Sequence, residues 1–239
     1  MDRDLTKFKR GLDELVIQLN DSQIEQFILF YEMLVEKNKV MNLTGITEWE
    51  DVVQKHFLDS LSLVKSVDLS TVDKLIDVGT GAGFPGIPLK IAFPHLQITL
   101  MDSLNKRIKF LQEVIDECKL QDIEAVHSRA EDLARKAEYR EQYDICVSRA
   151  VANLNTLSEY CLPFVKVGGS FVSYKSGTVD DEVKGAEKAV QMLGGQINNI
   201  NRFELPNSDI SRTLVCIDKK VVCNKKYPRK PAIMKEKPL

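Results

Sequence analysis

The sequence has few residues of the kinds that cross-link a chain or bind a metal ion. Its five cysteines form no C-x-x-C pair and lie mostly in apolar surroundings, which favours buried, reduced thiols over a disulfide framework. Its three histidines, His56, His95 and His127, lie far apart, and none has a second histidine or a cysteine at a metal-ligand spacing. We therefore expect a fold that needs neither disulfides nor a metal site.

The sequence also lacks a long apolar run and an excess of one charge. No apolar stretch is long enough to cross a bilayer, so we expect a cytoplasmic protein that does not contact membranes. The 33 basic and 35 acidic residues leave a net charge of −2, which is not typical of a protein that binds nucleic acid with its whole surface. Any contact with nucleic acid must therefore depend on local charge.

What is present is a pattern of helices followed by alternating strands and helices. The chain has 239 residues, of which 44% are hydrophobic, enough for one large α/β domain. Apolar residues at helical spacing over residues 5–67 predict a helical extension, 1–67, packed on the core. The remainder divides into a core domain, 68–224, and a basic tail, 225–239.

The core domain alternates short β-branched runs with amphipathic stretches, which predicts a mostly parallel, doubly wound sheet. Two further strands near 196–205 and 213–222 follow the last helix, and no helix separates them, so we expect a terminal antiparallel hairpin and a seven-stranded sheet in all. The first five predicted strands are 75–78, 98–101, 123–126, 145–147 and 170–174.

The tail is rich in lysine and arginine and contains three prolines, from which we expect an extended, basic segment. Its cationic residues are Lys225, Lys226, Arg229, Lys230, Lys235 and Lys237.

Residues 75–86 read as a buried strand that runs into a loop with four glycines. Glycine permits positive φ and lets a ligand lie directly on the backbone, so such loops are typical of nucleotide sites. Gly81, Gly83 and Gly86 match G-x-G-x-x-G, but dinucleotide enzymes share this pattern, so it does not identify the ligand.

Three residues favour a sulfonium ligand over a diphosphate. Asp77, at the end of the strand, can accept a hydrogen bond from the ammonium group of a methionine moiety and would repel a pyrophosphate. Phe84 would crowd a diphosphate, and Asp102, after the second strand, suits ribose hydroxyls. These residues predict S-adenosylmethionine as cofactor. The alternatives are a nicotinamide dinucleotide, or a tight turn in which Asp77 only caps a helix.

Further candidates follow later strands. Ala130 and Glu131 lie where an adenine ring would be held, and Arg149 lies where a strand end would face the transferred methyl group. His56 and Asp59 are one turn apart on a predicted helix. We expect these two side chains to pair structurally rather than to act in catalysis.

Taken together, these segments resemble a bacterial family, the small-subunit ribosomal RNA guanine N-7 methyltransferases, also called glucose-inhibited division protein B. The matching segments are residues 42–46, 56–61, 77–89, 102–103, 106–107, 110–111, 129–131, 148–151 and 227–231.

The resemblance implies a Rossmann-like class I fold and transfer of a methyl group from S-adenosylmethionine to one guanine of 16S rRNA, in a loop near the decoding site. It carries cofactor contacts onto Gly79, Phe84, Ala130, Glu131 and Arg149, with Asp102 and Ser103 at the adenosine end. Asp77 and Gly81 of the loop complete the predicted cofactor set.

Guanine N-7 has a free in-plane lone pair, so methyl transfer needs no general base. Arg149 is the one residue to which we assign a catalytic role. The local charges predicted to bind RNA are Lys106, Arg107, Lys175, Arg229 and Lys230.

We expect the partner to be 16S rRNA or the small ribosomal subunit, as an assembly intermediate or in finished form, and the protein to be a monomer. Two alternatives remain open at this point. One is a methyltransferase of a small metabolite, and the other is a non-catalytic RNA-binding module with a relic cofactor pocket.

Overall fold

A computed structural model of the chain describes residues 3–149 and 152–239. It contains one seven-stranded sheet with the strand order β3-β2-β1-β4-β5-β7-β6. The strands are β1 Lys74–Val78, β2 Gln97–Asp102, β3 Ile123–His127, β4 Tyr143–Ser148, β5 Val165–Ser176, β6 Gly195–Glu204 and β7 Ser211–Lys219.

The first five strands are parallel, and β7 is antiparallel to both β5 and β6. The mostly parallel sheet with a terminal antiparallel hairpin is therefore confirmed. β7 lies between β5 and β6, so the second strand of the hairpin, rather than the first, joins the sheet. The central strands are apolar on both faces because helices cover both faces of a parallel sheet.

Two cores flank the sheet. One face packs against the N-terminal helices and the helices that follow β1 and β2, and the other packs against the helices that follow β3, β4 and β5. These five helices are α5 Gly86–Ala92, α6 Asn105–Glu117, α7 Ala130–Leu133, α8 Leu154–Cys161 and α9 Asp180–Met192.

The N-terminal residues form α1 Thr6–Glu14 and α2 Asp21–Met41, and Asn20 caps α2 through a reciprocal pair of hydrogen bonds with Gln23. A continuous helical stretch then runs through α3 Trp49–Val52, a π-helical turn Val53–Leu58, α4 Asp59–Leu61 and a 3₁₀ turn Ser62–Lys65. π-helical turns are frequent at functional sites.

Aromatic rings join this segment to the sheet. Phe57 packs against Phe27 and Phe30, at ring-centroid distances of 5.0 and 5.9 Å, and Phe30 lies 5.2 Å from Phe84 in the loop after β1. The residues of the predicted extension thus share one core with the sheet.

The tail differs from the extended segment that the prolines predicted. It contains α10 Pro231–Glu236 and buries Met234. Arg229 donates to both carboxylate oxygens of Glu159 on α8, with Nη2–Oε2 at 2.7 Å and Nε–Oε1 at 2.8 Å. Pro231 begins the helix at the position where a missing N–H costs nothing. The prediction was wrong because the composition does not show a buried partner on another helix.

The five cysteines are free and buried, as expected of reduced thiols. Among residues 3–149 and 152–239, no helix is long and apolar enough to span a membrane.

Candidate active site

The glycine loop leaves β1 at the carboxyl end of the sheet. Gly79 and Gly81 have φ values of 75° and 63°, which side-chain-bearing residues rarely adopt. The N–H groups of Gly79 and Thr80 donate to the carbonyl oxygen of Met101 at 2.9 and 3.1 Å, which fastens the loop to β2. A Cβ atom on Gly79 would meet nothing within 4 Å, so this backbone is open to a ligand.

Asp77 fastens the glycine loop through one carboxylate oxygen, and its predicted contact with the cofactor stays a prediction. Its side chain is fully buried, and its Oδ2 accepts hydrogen bonds from the Thr80 hydroxyl at 2.7 Å and the Gly86 N–H at 2.9 Å. Oδ2 therefore holds the loop against the start of α5, which is the capping alternative. Burial raises the pKa of Asp77 to about 6, although these two hydrogen bonds oppose the shift.

A cavity of about 340 Å³ opens beside the loop, at the ends of β1 and β2 and beneath α7 and α8. Five of the residues predicted to bind the cofactor line it: Gly79, Asp102, Ser103, Ala130 and Glu131. Tyr160 and Leu157 of α8 contribute an aromatic and an aliphatic wall. The volume falls in the usual range for small-molecule sites.

Asp102 is the best-held acid of this cavity. Its Oδ2 accepts from the Gly81 N–H and from Arg107 Nη1, both at 3.0 Å, and its Oδ1 accepts from the Leu104 N–H at 2.9 Å. Arg107 also lines the cavity. Arg107 is therefore paired with Asp102 at this cavity, and its predicted contact with RNA stays a prediction.

A second cavity, of about 460 Å³, opens between the helical stretch 49–65 and the ends of β4 and β5. It adjoins the first along the chain, since Ala152 lines the first cavity and Asn153 lines the second. The remaining lining residues are Ile46, Lys55, His56, Asp59, Arg149, Tyr174, Lys175, Ser176, Glu182 and Arg212.

Arg149 lies in the second cavity and is not among the residues that line the first. Its Nη1 donates to Asp59 Oδ2 at 3.0 Å and to the Lys55 carbonyl at 3.1 Å, and its guanidinium carbon lies 5.1 Å from the Phe84 ring centre. Arg149 is therefore held rigidly at the end of β4. The next two residues of the family motif, Ala150 and Val151, lie outside the described residues.

His56 supports Arg149 from the π-helical turn. Its Nδ1 lies 3.2 Å from Arg149 Nη2 and its Nε2 lies 2.8 Å from the Thr44 hydroxyl. Nδ1 also lies 3.0 Å from the Lys55 carbonyl oxygen, so it either donates to that oxygen or accepts from Arg149, according to the tautomer. Burial, and then the Arg149 charge, lower the pKa of His56 to about 3, so the ring is neutral.

Phe84 contacts His56 rather than the cofactor cavity. The two rings stack with centroids 4.5 Å apart and an interplanar angle of 20°, and Phe84 is buried. The ring is therefore not part of the lining of the first cavity, and the predicted cofactor contact of Phe84 stays a prediction. Burial of the Phe84 ring between the loop and α2 removes its apolar surface from water, which stabilises the fold.

We predicted that Asp59 pairs with His56, but in the structure its carboxylate pairs with two arginines. Its Oδ2 accepts from Arg149 and its Oδ1 accepts from Arg212 Nε at 3.1 Å. Sequence reasoning missed Arg212. It lies 153 residues from Asp59 on the antiparallel strand β7, and its local sequence shows no motif.

The remaining RNA-binding predictions divide by exposure. Lys175 Nζ donates to Glu182 Oε1 at 2.7 Å inside the second cavity, and Arg229 is bonded to Glu159, so neither is a free surface charge. Glu182 follows Lys175 by seven residues, whereas Glu159 lies 70 residues from Arg229 and could not be found by local charge counting. Lys106 and Lys230 are exposed, as a phosphate contact requires.

Comparison with known proteins accords with this geometry. Residues 23–213 match the model of the family described as rRNA small subunit methyltransferase G. The ribosomal RNA small subunit methyltransferase G of Lachnoclostridium phytofermentans is 56% identical over 227 residues, which cover 95% of this chain and 94% of that protein.

Solved structures share the fold at low sequence identity. The mitomycin 7-O-methyltransferase MmcR gives a TM-score of 0.56 at 13% identity over 88% of this chain and 68% of its own. M. jannaschii TYW2 in complex with AdoMet gives 0.50 at 13% identity over 62% of this chain and 69% of its own. The predicted class I methyltransferase fold is confirmed.

The curated relative and the family model cover most of this chain. They confirm the predictions of a methyltransferase and of S-adenosylmethionine as its methyl donor. The chain belongs to the rRNA small subunit methyltransferase G family.

Proposed function

We propose that this protein transfers a methyl group from S-adenosylmethionine to N-7 of one guanine in 16S rRNA, in a loop of the decoding region. One observation supports the substrate class most directly: the cavity beside the cofactor site is cationic. Its walls carry four cationic side chains, Lys55, Arg149, Lys175 and Arg212, against the two carboxylates of Asp59 and Glu182. An excess of positive charge suits a nucleotide with its phosphates.

In this proposal the first cavity holds the cofactor. Asp102 and Ser103 face the ribose, Ala130 and Glu131 face the adenine, and the open backbone of Gly79 and Gly81 lies against the methionine moiety. Among the described residues, Oδ1 of Asp77 is buried and has no hydrogen-bond partner. We assign to this oxygen the interaction with the cofactor's positive charge, from behind the loop. When bound, S-adenosylmethionine supplies an electrophilic methyl group.

The second cavity holds the guanine. Its N-7 lone pair needs no deprotonation, so the residues only have to orient the base and exclude water. Holding the two reactants in line can contribute about 7–11 kcal/mol. Neutral His56 fits this requirement because it fixes Arg149 and is not poised as a base. Arg149 is the residue to which we assign contact with the target base.

The exposed Lys106 and Lys230 extend the cationic surface outside the cavity and are proposed to meet RNA phosphates. A ribosomal substrate implies a cytoplasmic protein that acts on the small subunit or on an assembly intermediate, and we propose that it acts as a monomer.

A small-metabolite methyltransferase is the alternative, and removal of the tail from residue 225 would not distinguish the two. Such a truncation removes Arg229 and leaves the buried Glu159 without its partner, so activity would fall under either function.

The direct test is to map modified guanines in 16S rRNA from a strain that lacks the gene. We expect one N-7 methylguanine to be missing, to return with the wild-type gene, and to stay missing with Arg149→Ala. Asp144→Asn is the control, because Asp144 lies at the opposite end of β4 and pairs with Lys166. An unchanged modification pattern in the deletion strain would refute the proposed substrate.

A further inference from the structure

Asp59 is a carboxylate of the second cavity that joins two elements distant from it in sequence. It begins α4, and it receives hydrogen bonds from Arg149 after β4 and from Arg212 on β7. Only 3% of its surface is exposed, whereas about a fifth of each arginine side chain is exposed. The carboxylate thus lies behind the two guanidinium groups, which form the wall that a ligand meets.

The charges of this group do not cancel. Two guanidinium groups share one carboxylate, so the group keeps one positive charge at the cavity wall. A buried cationic excess of this kind is costly unless a further anion or acceptor completes it. Within residues 3–149 and 152–239, Arg212 Nη2 donates no hydrogen bond, so it remains able to meet an acceptor in the cavity.

The geometry fixes where that acceptor would lie. Each arginine uses one side of its planar fork for Asp59, and Arg149 is also fixed by the Lys55 carbonyl, by His56 and by the Phe84 ring. A planar guanidinium held on one side presents its remaining N–H groups in a set direction, which suits phosphate or the O6 of guanine.

We propose that Asp59 is a positioning residue that sets Arg149 and Arg212 on the target nucleotide, with Arg149 on the base and Arg212 on an adjoining phosphate. This inference rests on the proposed function, since it assigns the groups of the target nucleotide to the two arginines. It predicts that Asp59 acts on turnover through the arginines and not through the cofactor.

Two simpler roles make different predictions. If Asp59 only stabilised the fold, its loss would lower the melting temperature and leave the turnover of folded protein unchanged. If Asp59 only reduced the local charge, Asp59→Asn would strengthen RNA binding, because the wall would gain one net positive charge.

The test compares wild type, Asp59→Asn and Asp144→Asn on small ribosomal subunits from a strain that lacks the gene. For Asp59→Asn we expect kcat to fall about 30-fold, while the Kd for S-adenosylmethionine changes by less than about twofold. Asp144→Asn makes the same substitution at the other end of β4, and its kcat should equal that of wild type even if its melting temperature falls.

Arg212→Gln is the second variant, in case Asp59→Asn does not fold. We expect it to raise the KM for the ribosomal substrate about tenfold and to reduce the slope of log affinity against log salt by about one phosphate contact. Its kcat should fall less than that of Asp59→Asn, because Arg149 keeps its partner.

The outcomes distinguish the positioning role of Asp59 from the proposed function. If wild type is active and Asp59→Asn has an unchanged kcat or binds RNA more tightly, the positioning role alone is overturned. An unchanged salt slope in Arg212→Gln overturns the phosphate contact. A wild-type protein that binds S-adenosylmethionine but methylates no ribosomal RNA overturns the proposed function and this inference with it.

Discussion

Asp77 and His56 are buried on the two sides of the glycine loop, and burial shifts the pKa of each in the direction that favours its neutral form. The pKa of Asp77 is raised to about 6, chiefly by burial, and the pKa of His56 is lowered to about 3 by burial and by Arg149. These shifts couple folding to pH in opposite directions.

The signs follow from proton counts. From about pH 4 to 6 the folded state binds more protons at Asp77 than the unfolded state does, so this group makes stability fall as pH rises. From about pH 3 to 6.5 the unfolded state binds more protons at His56, so this group makes stability fall as pH drops below 6.5. In the range they share, the two effects largely cancel.

Replacing either residue should therefore reveal the effect of the other on the pH dependence of stability. Between pH 4.5 and 6 we expect Asp77→Asn to lose stability on acidification more steeply than wild type, by roughly 1.4 kcal/mol per pH unit. His56→Gln should change the slope in the opposite direction by a similar amount. Urea unfolding at several pH values measures both slopes, and parallel curves for wild type and Asp77→Asn would contradict the assigned pKa of Asp77.

At the scale of elements, backbone conformation determines the loop after β1, whereas side-chain contacts hold the tail. The loop needs glycine for its φ values and for an open face, while the tail is held by guanidinium contacts. Arg140 donates to the carbonyl oxygens of Cys223 and Tyr227, both at 3.0 Å, and Arg229 anchors the next turn to α8.

Gly79 and Gly168 offer a matched test of the loop. Both have positive φ, 75° and 91°, and a Cβ atom on either would meet nothing within 4 Å, but Gly168 lies near the amino end of β5, away from the loop after β1. Alanine at either position should cost about 1–2 kcal/mol of backbone strain. Only Gly79→Ala should also weaken S-adenosylmethionine binding, by about tenfold or more, as measured by calorimetry. Equal cofactor affinity in the two variants would place the cofactor elsewhere.

Arg229 and Lys230 offer a second matched pair, in the tail. Arg229→Ala leaves Glu159, of which 1% of the side chain is exposed, as an unpaired buried carboxylate, so we expect a loss of about 3–5 kcal/mol in unfolding free energy. Lys230→Ala removes an exposed charge and should change stability by less than about 0.5 kcal/mol. Denaturant unfolding of the two variants decides whether the tail is a structural element, and equal stabilities would contradict the anchoring role.

At the scale of the whole molecule, the N-terminal helices and the sheet share one hydrophobic core. Phe27, Phe30 and Phe57 are fully buried and reach Phe84 through ring contacts, so the active-site loop rests on helices that precede the sheet in sequence. The predicted boundary at residue 67 separates elements along the chain but does not separate their cores.

A fragment of residues 68–239 should therefore fail to fold on its own. Removing the N-terminal helices exposes one face of the sheet, and burial of that face supplies a large share of the hydrophobic free energy. Thermal unfolding followed by circular dichroism should show no cooperative transition for the fragment. A cooperative transition near that of the full chain would establish an independent domain.

Much of the fold follows from the sequence because its determinants are local. Alternating β-branched runs and amphipathic stretches located all seven strands, and the glycine-rich run after residue 78 located the loop. Asp102 and Ala130 could be predicted to lie at one cavity because the carboxyl ends of parallel strands meet at the same end of a sheet.

The contacts of the charged side chains were decided only by the tertiary structure. Two of these pairs, Asp59 with Arg212 and Arg229 with Glu159, join residues that are far apart in sequence. The sequence around a charged residue does not indicate which distant residue it will contact. Local patterns fixed the strands, the helices and the open loop, because backbone geometry and apolar periodicity act over a few residues. Tertiary packing determined which charges are buried together, because the free-energy cost of burying a charge depends on all the groups that surround it.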